Sequence, residues 1–389
     1  MTLQYMTAGE SHGPQLTAIA TGVPAGLRLS KAYINKDLAR RQSGHGRGGR
    51  MKIETDKVEI TSGLRHGLTL GSPISMTIRN ADWKNWRSVM STEKNATGSK
   101  KLSVPRPGHA DLAGTQKYGM DDIRNVLERA SARETASRVA VGAIARRILD
   151  EFNISVLSHV IQIGVVKARK RRLVAADFEN VERSPVRCLN TETGKKMVAA
   201  IDKARKEGES LGGIFEVMVF GLPAGLGSYV TGPERLGGRI GAAMMSIPAI
   251  KGAEIGGGFS LAGVPGSRAH DEIYLDDERG YYRKTNRAGG LEGGMTTGEP
   301  LVARACMKPI PTLTRPLQSV DIITGRKAPA LKERSDVCAV PAAAVVGEAM
   351  LAIEIARALL EKFGGDSMAD LKESFLVYKR RLRGSWHQP

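Results

Sequence analysis

The sequence predicts an α+β fold made by internal duplication, with two long buried helices packed centrally and a strand layer from each half. Repeats carry that expectation. The phrase Gly22-Val23-Pro24-Ala25-Gly26-Leu27 returns as Gly221-Leu222-Pro223-Ala224-Gly225-Leu226. Gly63-Leu64, Gly67, Thr69, Gly71 and Pro73 return with the same spacing as Gly290-Leu291, Gly294, Thr296, Gly298 and Pro300. Arg106-Pro107 with Asp111 is echoed, shifted by one, by Arg315-Pro316 with Asp321. Glu128-Arg129 and Glu333-Arg334 each precede an Ala/Val-rich helical run, ending in Phe152 or Phe363. The pairs occur in the same order, so one domain over 1–389 is expected. Its related halves fall near 1–155 and 210–389 about a pseudo-twofold axis, with a peripheral segment between them.

Composition bounds the rest. A chain of 389 residues can bury roughly three quarters of its unfolded surface, so it needs no covalent staples. Its 41% hydrophobic and 25% charged residues are ordinary for a globular protein, whereas 45 glycines favour tight loops over a helical bundle. The net charge of +18 calls for an anionic partner, either nucleic acid or a small polyanion. Aromatics are only 5%, poor material for stacking bases, and no nucleic-acid motif is recognisable. A basic nucleic-acid-binding protein is therefore the alternative from another class. Three scattered cysteines, Cys188, Cys306 and Cys338, suit a reducing compartment. The chain lacks an N-terminal apolar leader and an apolar run of membrane-spanning length, so a cytoplasmic protein is expected.

In chain order, strands are expected at 16–21, 58–61 and 74–78. Ser30 is placed to cap a helix that runs through Gln42 and stops in a basic glycine loop carrying Arg41, Arg47 and Arg50. Residues 137–152 read as a long buried helix and 156–166 as a strand. The stretch 167–193 has much charge and little period. A helix over 195–207, a strand over 214–220 and a basic, fraying C-terminal tail complete the reading.

Pro105-Arg106-Pro107-Gly108-His109-Ala110-Asp111 is a stiffened loop that presents Arg106 and His109. A helical run from Glu128 to Thr135 puts Arg129 and Arg133 on one face, adding two guanidiniums to that imidazole. The combination suits a phosphate-bearing anion and a proton donor. Gly9-Glu10-Ser11-His12-Gly13 matches a nucleophile elbow, but Pro14 and a strand-like run follow where a helix is required. It reads instead as a glycine-flanked turn exposing His12. Gly44, Gly46 and Gly49 have dinucleotide-fingerprint spacing, yet they follow a helix, so that fingerprint is rejected. Asp336 is expected either as an N-cap of the second long helix or as a base held near arginine. His159, in an apolar strand, is expected in a satisfied core role.

Taken together, Gly9 to Gly13, Arg47-Gly48-Gly49-Arg50, Arg106 to Asp111, Arg129 to Thr135, Glu292-Gly293-Gly294 with Thr297-Gly298, Lys308 to Thr312 and Arg334-Ser335-Asp336 resemble the chorismate synthase family. The resemblance covers nearly the whole chain. It implies a β-α-β sandwich with long central helices between antiparallel sheets, assembled as a homotetramer. It implies a lyase that converts 5-enolpyruvylshikimate 3-phosphate to chorismate by 1,4-elimination of phosphate, needing reduced FMN without net redox change. By position it implies His12, His109 and Asp336 as catalytic. Flavin contacts would come from Arg129, Ala130, Ser131, Pro248, Ala249, Gly293, Lys308, Pro309, Ile310, Pro311, Thr312 and Arg334. Substrate contacts would come from Ser11, Arg41, Arg47, Arg50, Arg106 and Arg133. Pro248 stands where many members carry asparagine, and proline offers no side-chain hydrogen bond. Some members reduce their own flavin with NADPH. This chain shows no nicotinamide fingerprint, so an external flavin reductase or another NADPH-dependent source is expected.

Overall fold

The fold is that of a computed structural model, which describes residues 2–49, 53–93, 101–169, 171–277, 280–331 and 335–384, at 383 and 384 the backbone alone. Strands β1 (Gln4–Ala8), β2 (Gln15–Thr21), β3 (Val58–Ile60) and β4 (Ile74–Arg79) form one antiparallel sheet in the order β1-β2-β4-β3. In β2 the side chains alternate: Leu16, Ala18 and Ala20 point to the core, while Ile19 is exposed. Strands β5 (Ser155–Ile163), β6 (Val166–Lys167), β7 (Gly213–Phe220), β8 (Ile250–Ile255) and β9 (Leu301–Met307) form the second, also antiparallel, in the order β8-β9-β7-β5-β6.

Helices α1 (Lys31–Gln42), α2 (Asp111–Tyr118), α3 (Arg124–Ala130), α4 (Thr135–Asp150), α5 (Thr191–Glu207), α6 (Leu236–Met245), α7 (Val340–Phe363) and α8 (Met368–Gly384) complete the frame. Between the sheets lie α4, packed on the first, and α7, packed on the second, each against the other. Nearly every residue of α7 is buried, so its Ala/Val-rich sequence has no polar stripe to show. The helices cross closely because Gly142 faces Ala349: a Cβ on Gly142 would sit 2.3 Å from the Ala349 Cβ. Gly142→Ala should therefore destabilise the fold by about 1–3 kcal/mol through overpacking, despite a helix-propensity gain of about 1 kcal/mol. Chemical denaturation measures it, and a stabilised variant would contradict this crossing.

The expected helix ends hold to within a few residues. Ser30 caps α1 by accepting from Tyr33 N, and Asn190 caps α5. Four expectations change. The run from Glu128 to Thr135 is not one helix: α3 ends at Ala130, Ser131 is extended at φ −65° and ψ 143°, and a short 3-10 turn follows. Arg129 and Arg133 consequently share no face. The stretch after β6 has no period because its buried apolar residues are scattered, while Val174 is exposed. Leu173, Phe178 and Val181 cover the outer face of the second sheet at Met218 and Val302, which leaves β7 buried on both sides. The basic C-terminal tail is helical to Gly384, anchored by Leu371 and Phe375. Asp336 caps no helix, since α7 begins at Val340. His159 meets its expectation: Nε2 lies 3.0 Å from Glu216 Oε1 and the ring packs edge-on to Phe178.

The two sheets repeat one strand order, first-second-fourth-third, with β6 added at an edge of the second. Their repeated turns are closed alike. Thr69 Oγ1 donates to Pro24 O at 2.6 Å and accepts from Leu27 N at 2.9 Å. Thr296 Oγ1 donates to Pro223 O at 2.7 Å and accepts from Leu226 N at 2.8 Å. We propose on these grounds that the chain is a pseudo-twofold duplication whose second copy opens at β5, because β5 pairs with β7. The segment 167–207 is then an insertion within that copy.

Candidate active site

The residues expected from sequence fall into three groups, of which the second and third join loops of both halves. The first surrounds His12. The turn after β1 is held by Asn80, whose Nδ2 donates to Glu10 O at 3.2 Å and Gly13 O at 2.7 Å. Ser11 Oγ donates to Ser131 Oγ at 3.1 Å. His12 Nδ1 lies 2.9 Å from Glu128 Oε1, and its ring stacks on Trp86 with centroids 3.9 Å apart. The side chain of His12 is only 15% exposed, so the turn does not simply expose it. Burial pushes the Glu128 carboxyl up, but the His12 contacts and Arg124 outweigh it and hold the group below its ordinary value. Arg129 turns away, donating to Thr7 O on edge strand β1 and to Gly9 O just after it. Ala130 ends α3 beside it.

The second group is basic. Arg41 and Arg133, each only 4% exposed, share the buried carboxylate of Asp56. Arg41 also donates to Thr135 Oγ1 and Ala132 O, both at 2.9 Å, and Arg133 donates to Asn80 Oδ1 at 2.9 Å. Nη2 of Arg133 is buried with no hydrogen-bond partner among the described residues. Burial, with Arg47 and Arg133 nearby, pulls the Arg41 guanidinium down to about 10 against the pull of Asp56. Asp336 accepts from Arg47 Nη1 at 2.5 Å and Gly48 N at 2.6 Å. The glycine loop can pack so tightly because a Cβ on Gly48 would stand 2.8 Å from Ser335 O.

The third group carries His109. Asp111, fully buried at the start of α2, accepts from Arg106 Nε at 2.8 Å and lies 2.5 Å from His109 Nδ1. Arg106 Nη2 is 3.1 Å from the same nitrogen, but both are donors to the carboxylate, so they are neighbours without a bond. Burial raises the Asp111 carboxyl, yet His109 and Arg106 hold it well below the carboxylate range. Arg106 Nη1 reaches Thr312 Oγ1 at 3.3 Å, and Lys308 Nζ donates to Gly108 O. The strand end Lys308, Pro309, Ile310, Pro311 and Thr312 is thus fastened to the His109 loop. Ile310 O accepts from Ser210 Oγ at 2.7 Å. Lys308 N donates to Ala249 O at 3.0 Å, which brings in Pro248 and Ala249. Ala249 holds φ +66°, a strained pose for a residue with a Cβ. Arg138 links this turn to the arginine group by donating to Ser246 O and pairing with Glu134.

Of the residues expected from sequence, His12, Ser11 and Ser131 therefore meet, as do Arg41, Arg133, Arg47 and Asp336. Arg106, His109, Lys308, Thr312 and Ala249 meet also. Gly293 turns a separate hairpin between Leu291–Glu292 and Met295–Thr296. Arg50 and Arg334 lie outside the described residues. Among the described residues, Arg106 is the guanidinium beside His109, while Arg129 and Arg133 bond elsewhere. Two open concavities lie elsewhere, one at Leu29, Ile60 and Leu64, the other at Gly257, Arg268 and Arg287. The chemistry-bearing side chains do not line them.

A profile of the chorismate synthase family matches residues 3–360. The chain belongs to the chorismate synthase family. Chorismate synthase of Desulforudis audaxviator is 54% identical over 385 residues, 98% of this chain and 99% of that protein. That of Geobacillus kaustophilus is 56% identical over 382 residues, 96% and 97%. A crystal structure of chorismate synthase superposes with a TM-score of 0.80 at 43% identity, covering 99% of each chain. Membership makes this chain an enzyme of a lyase family in the shikimate pathway, and the β-α-β sandwich is that of the solved relative. Sequence reasoning missed Glu128, Trp86, Asp56 and Asn80 as parts of this candidate site. Each acts across a large gap in the chain, Glu128 and His12 being 116 residues apart.

Proposed function

We propose that this chain converts 5-enolpyruvylshikimate 3-phosphate to chorismate and inorganic phosphate by 1,4-elimination, with reduced FMN bound beside the substrate and unchanged at the end. One observation carries the reading beyond family membership. Each of two histidines is bonded at Nδ1 to a buried carboxylate, and the same loops carry buried guanidiniums, Arg41, Arg106 and Arg133. A phosphate monoester carries about −1.5 to −2 at neutral pH, and the substrate adds two carboxylates. Several arginines must converge to hold such an anion, since each charge-assisted bond contributes only about 1.5–3 kcal/mol net. Arg133, whose Nη2 makes no hydrogen bond among the described residues and lies 3.7 Å from Glu54, the Arg47 loop and Arg106 fit that need. The same donor set fits a flavin phosphate, and the stiff stretch Lys308 to Thr312 with the strained Ala249 fits a flat ring.

In the reaction a C–H bond and a C–O bond break, a double bond forms, and phosphate departs with the electron pair of the C–O bond. No electrons are needed from outside. The proton lost is not flanked by a carbonyl, so a simple base would be ineffective; reduced flavin supplies the electron-rich partner that helps expel phosphate. The protein holds the anions and manages protons. With Nδ1 committed to a carboxylate, Nε2 of His12 and of His109 is the nitrogen that gives or takes a proton. Asp336 belongs to the same proposal as a base beside Arg47. A homotetrameric assembly, an external reductase or other NADPH-dependent source of reduced flavin, and a cytoplasmic location complete it. No helix among the described residues is long and apolar enough to cross a membrane.

The test is phosphate release from 5-enolpyruvylshikimate 3-phosphate under strict anaerobiosis. Release with reduced FMN and none without it is expected. Release at the same rate in its absence would overturn the flavin requirement, and no release under either condition would overturn the reaction.

A further inference from the structure

We propose that Glu128 and Trp86 are positioning residues for His12, together fixing its tautomer and ring plane so that Nε2 alone is free to exchange a proton. This rests on the reading of His12 as a catalytic group. Glu128 is 2% exposed, and its carboxylate takes two donors from one residue: His12 N at 2.8 Å and His12 Nδ1 at 2.9 Å. Its own carbonyl accepts Ser11 N at 3.0 Å. One residue of α3 therefore fixes both the backbone and the ring of the turn. An ionised carboxylate only accepts, so the proton on a neutral His12 must sit on Nδ1. Glu128 is kept ionised by the His12 contacts and by Arg124, whose Nη1 lies 3.3 Å away.

The face of the ring is set independently. Trp86 stacks on it at 3.9 Å and 22°. Trp86 is itself fixed at Nε1, which donates to Asp82 at 3.1 Å, and carries Arg124 over its ring at 5.1 Å. Arg124 so touches both halves of the clamp. His12 Nε2 has no hydrogen-bond partner among the described residues, which leaves it for the ligand. The next residues of α3 lead to Ala130 and Ser131, and Ser131 bonds Ser11. The pose of His12 is thereby tied to the stretch expected to touch flavin.

The experiment reads the tautomer directly and then the rate. In magic-angle-spinning 15N spectra of histidine-labelled enzyme, at a pH where the ring is neutral, His12 should show a protonated Nδ1 and a bare Nε2. Its signals are identified by their loss in His12→Gln. Glu128→Leu should lose that pattern and lower kcat by about 10²-fold, the low end for general acid–base catalysis, with KM for the substrate and binding of reduced FMN changed by less than about 3-fold. Glu128→Gln keeps an oxygen acceptor, so it should keep the tautomer and restore kcat to within about 10-fold of wild type. Trp86→Phe, which keeps a stacking ring, should retain more activity than Trp86→Ala. A wild-type ring protonated at Nε2 would overturn the proposal, as would a Glu128→Leu enzyme with unchanged kcat. If Glu128→Leu does not fold, the wild-type spectrum and Glu128→Gln decide. Full turnover by His12→Ala would instead remove the catalytic reading of His12 and leave the tautomer measurement standing.

Discussion

Glu348→Ala should unfold at a markedly lower denaturant concentration than the wild-type chain, a loss of about 3–5 kcal/mol. Glu348 sits inside α7 with no exposed surface. Its oxygens accept from Arg40 of α1 at 2.8 and 2.9 Å, from Arg187 at 3.2 Å, from Ser158 of β5 at 2.6 Å and from Arg146 of α4. Alanine would leave Arg187 and the partly buried Arg40 and Arg146 facing a void, with Asp37 and Glu182 the carboxylates left to offset them among the described residues. Burial pushes the Glu348 carboxyl up, but the arginines outweigh it and hold the group far below its ordinary 4.5. A carboxyl depressed in the folded state stabilises above its unfolded value and loses that contribution as pH falls through the folded one. The gap between wild type and variant should therefore be full at neutral pH and shrink on acidification below about 4. Denaturation curves at neutral and acid pH read both effects. An equally stable Glu348→Ala protein would mean that this network contributes nothing net.

His109→Ala should lower turnover by about 10²–10⁴-fold while the fold is kept, the range general acid–base catalysis supplies. The ring is partly exposed, at 16% of its side chain, so its loss opens no large cavity. Asp111 keeps its bonds to Arg106, so the loop stays fastened. Single-turnover kinetics beside a far-UV spectrum separate catalysis from folding. Near-wild-type turnover would make His109 a structural partner of Asp111 and nothing more.

Much of this molecule was legible because the sequence repeats itself. The paired Gly-x-Pro-Ala-Gly-Leu turns and paired Thr69 and Thr296 are spaced by chemistry that only one turn geometry satisfies, and both turns close through the same threonine bonds. Long buried helices declare themselves by composition, as α4 and α7 do. What stayed hidden depends on long-range pairing. Nothing near Glu128 in the chain signals that its partner is His12, or that Trp86 covers the ring. The break at Ser131 was hidden because Ala, Arg and Glu around it favour helix; Ser131 Oγ instead accepts locally from Arg133 N and, across the fold, from Ser11 Oγ. The insertion looked peripheral because its scattered inward residues make no period, although Pro185 O receives His45 N and so steadies the Arg47 loop.

The central claim is that reduced FMN acts in this site as a catalyst and is not consumed. The substrate loses a proton and a phosphate, and its overall oxidation state is unchanged. The basic groups, two histidines and Asp336 suit proton management around an electron-rich cofactor. The most direct measurement is the ratio of chorismate formed to flavin oxidised when one charge of reduced FMN is given under strict anaerobiosis. Chorismate in large excess over oxidised flavin is the predicted result. A ratio near one would make the flavin a stoichiometric reductant and contradict the account.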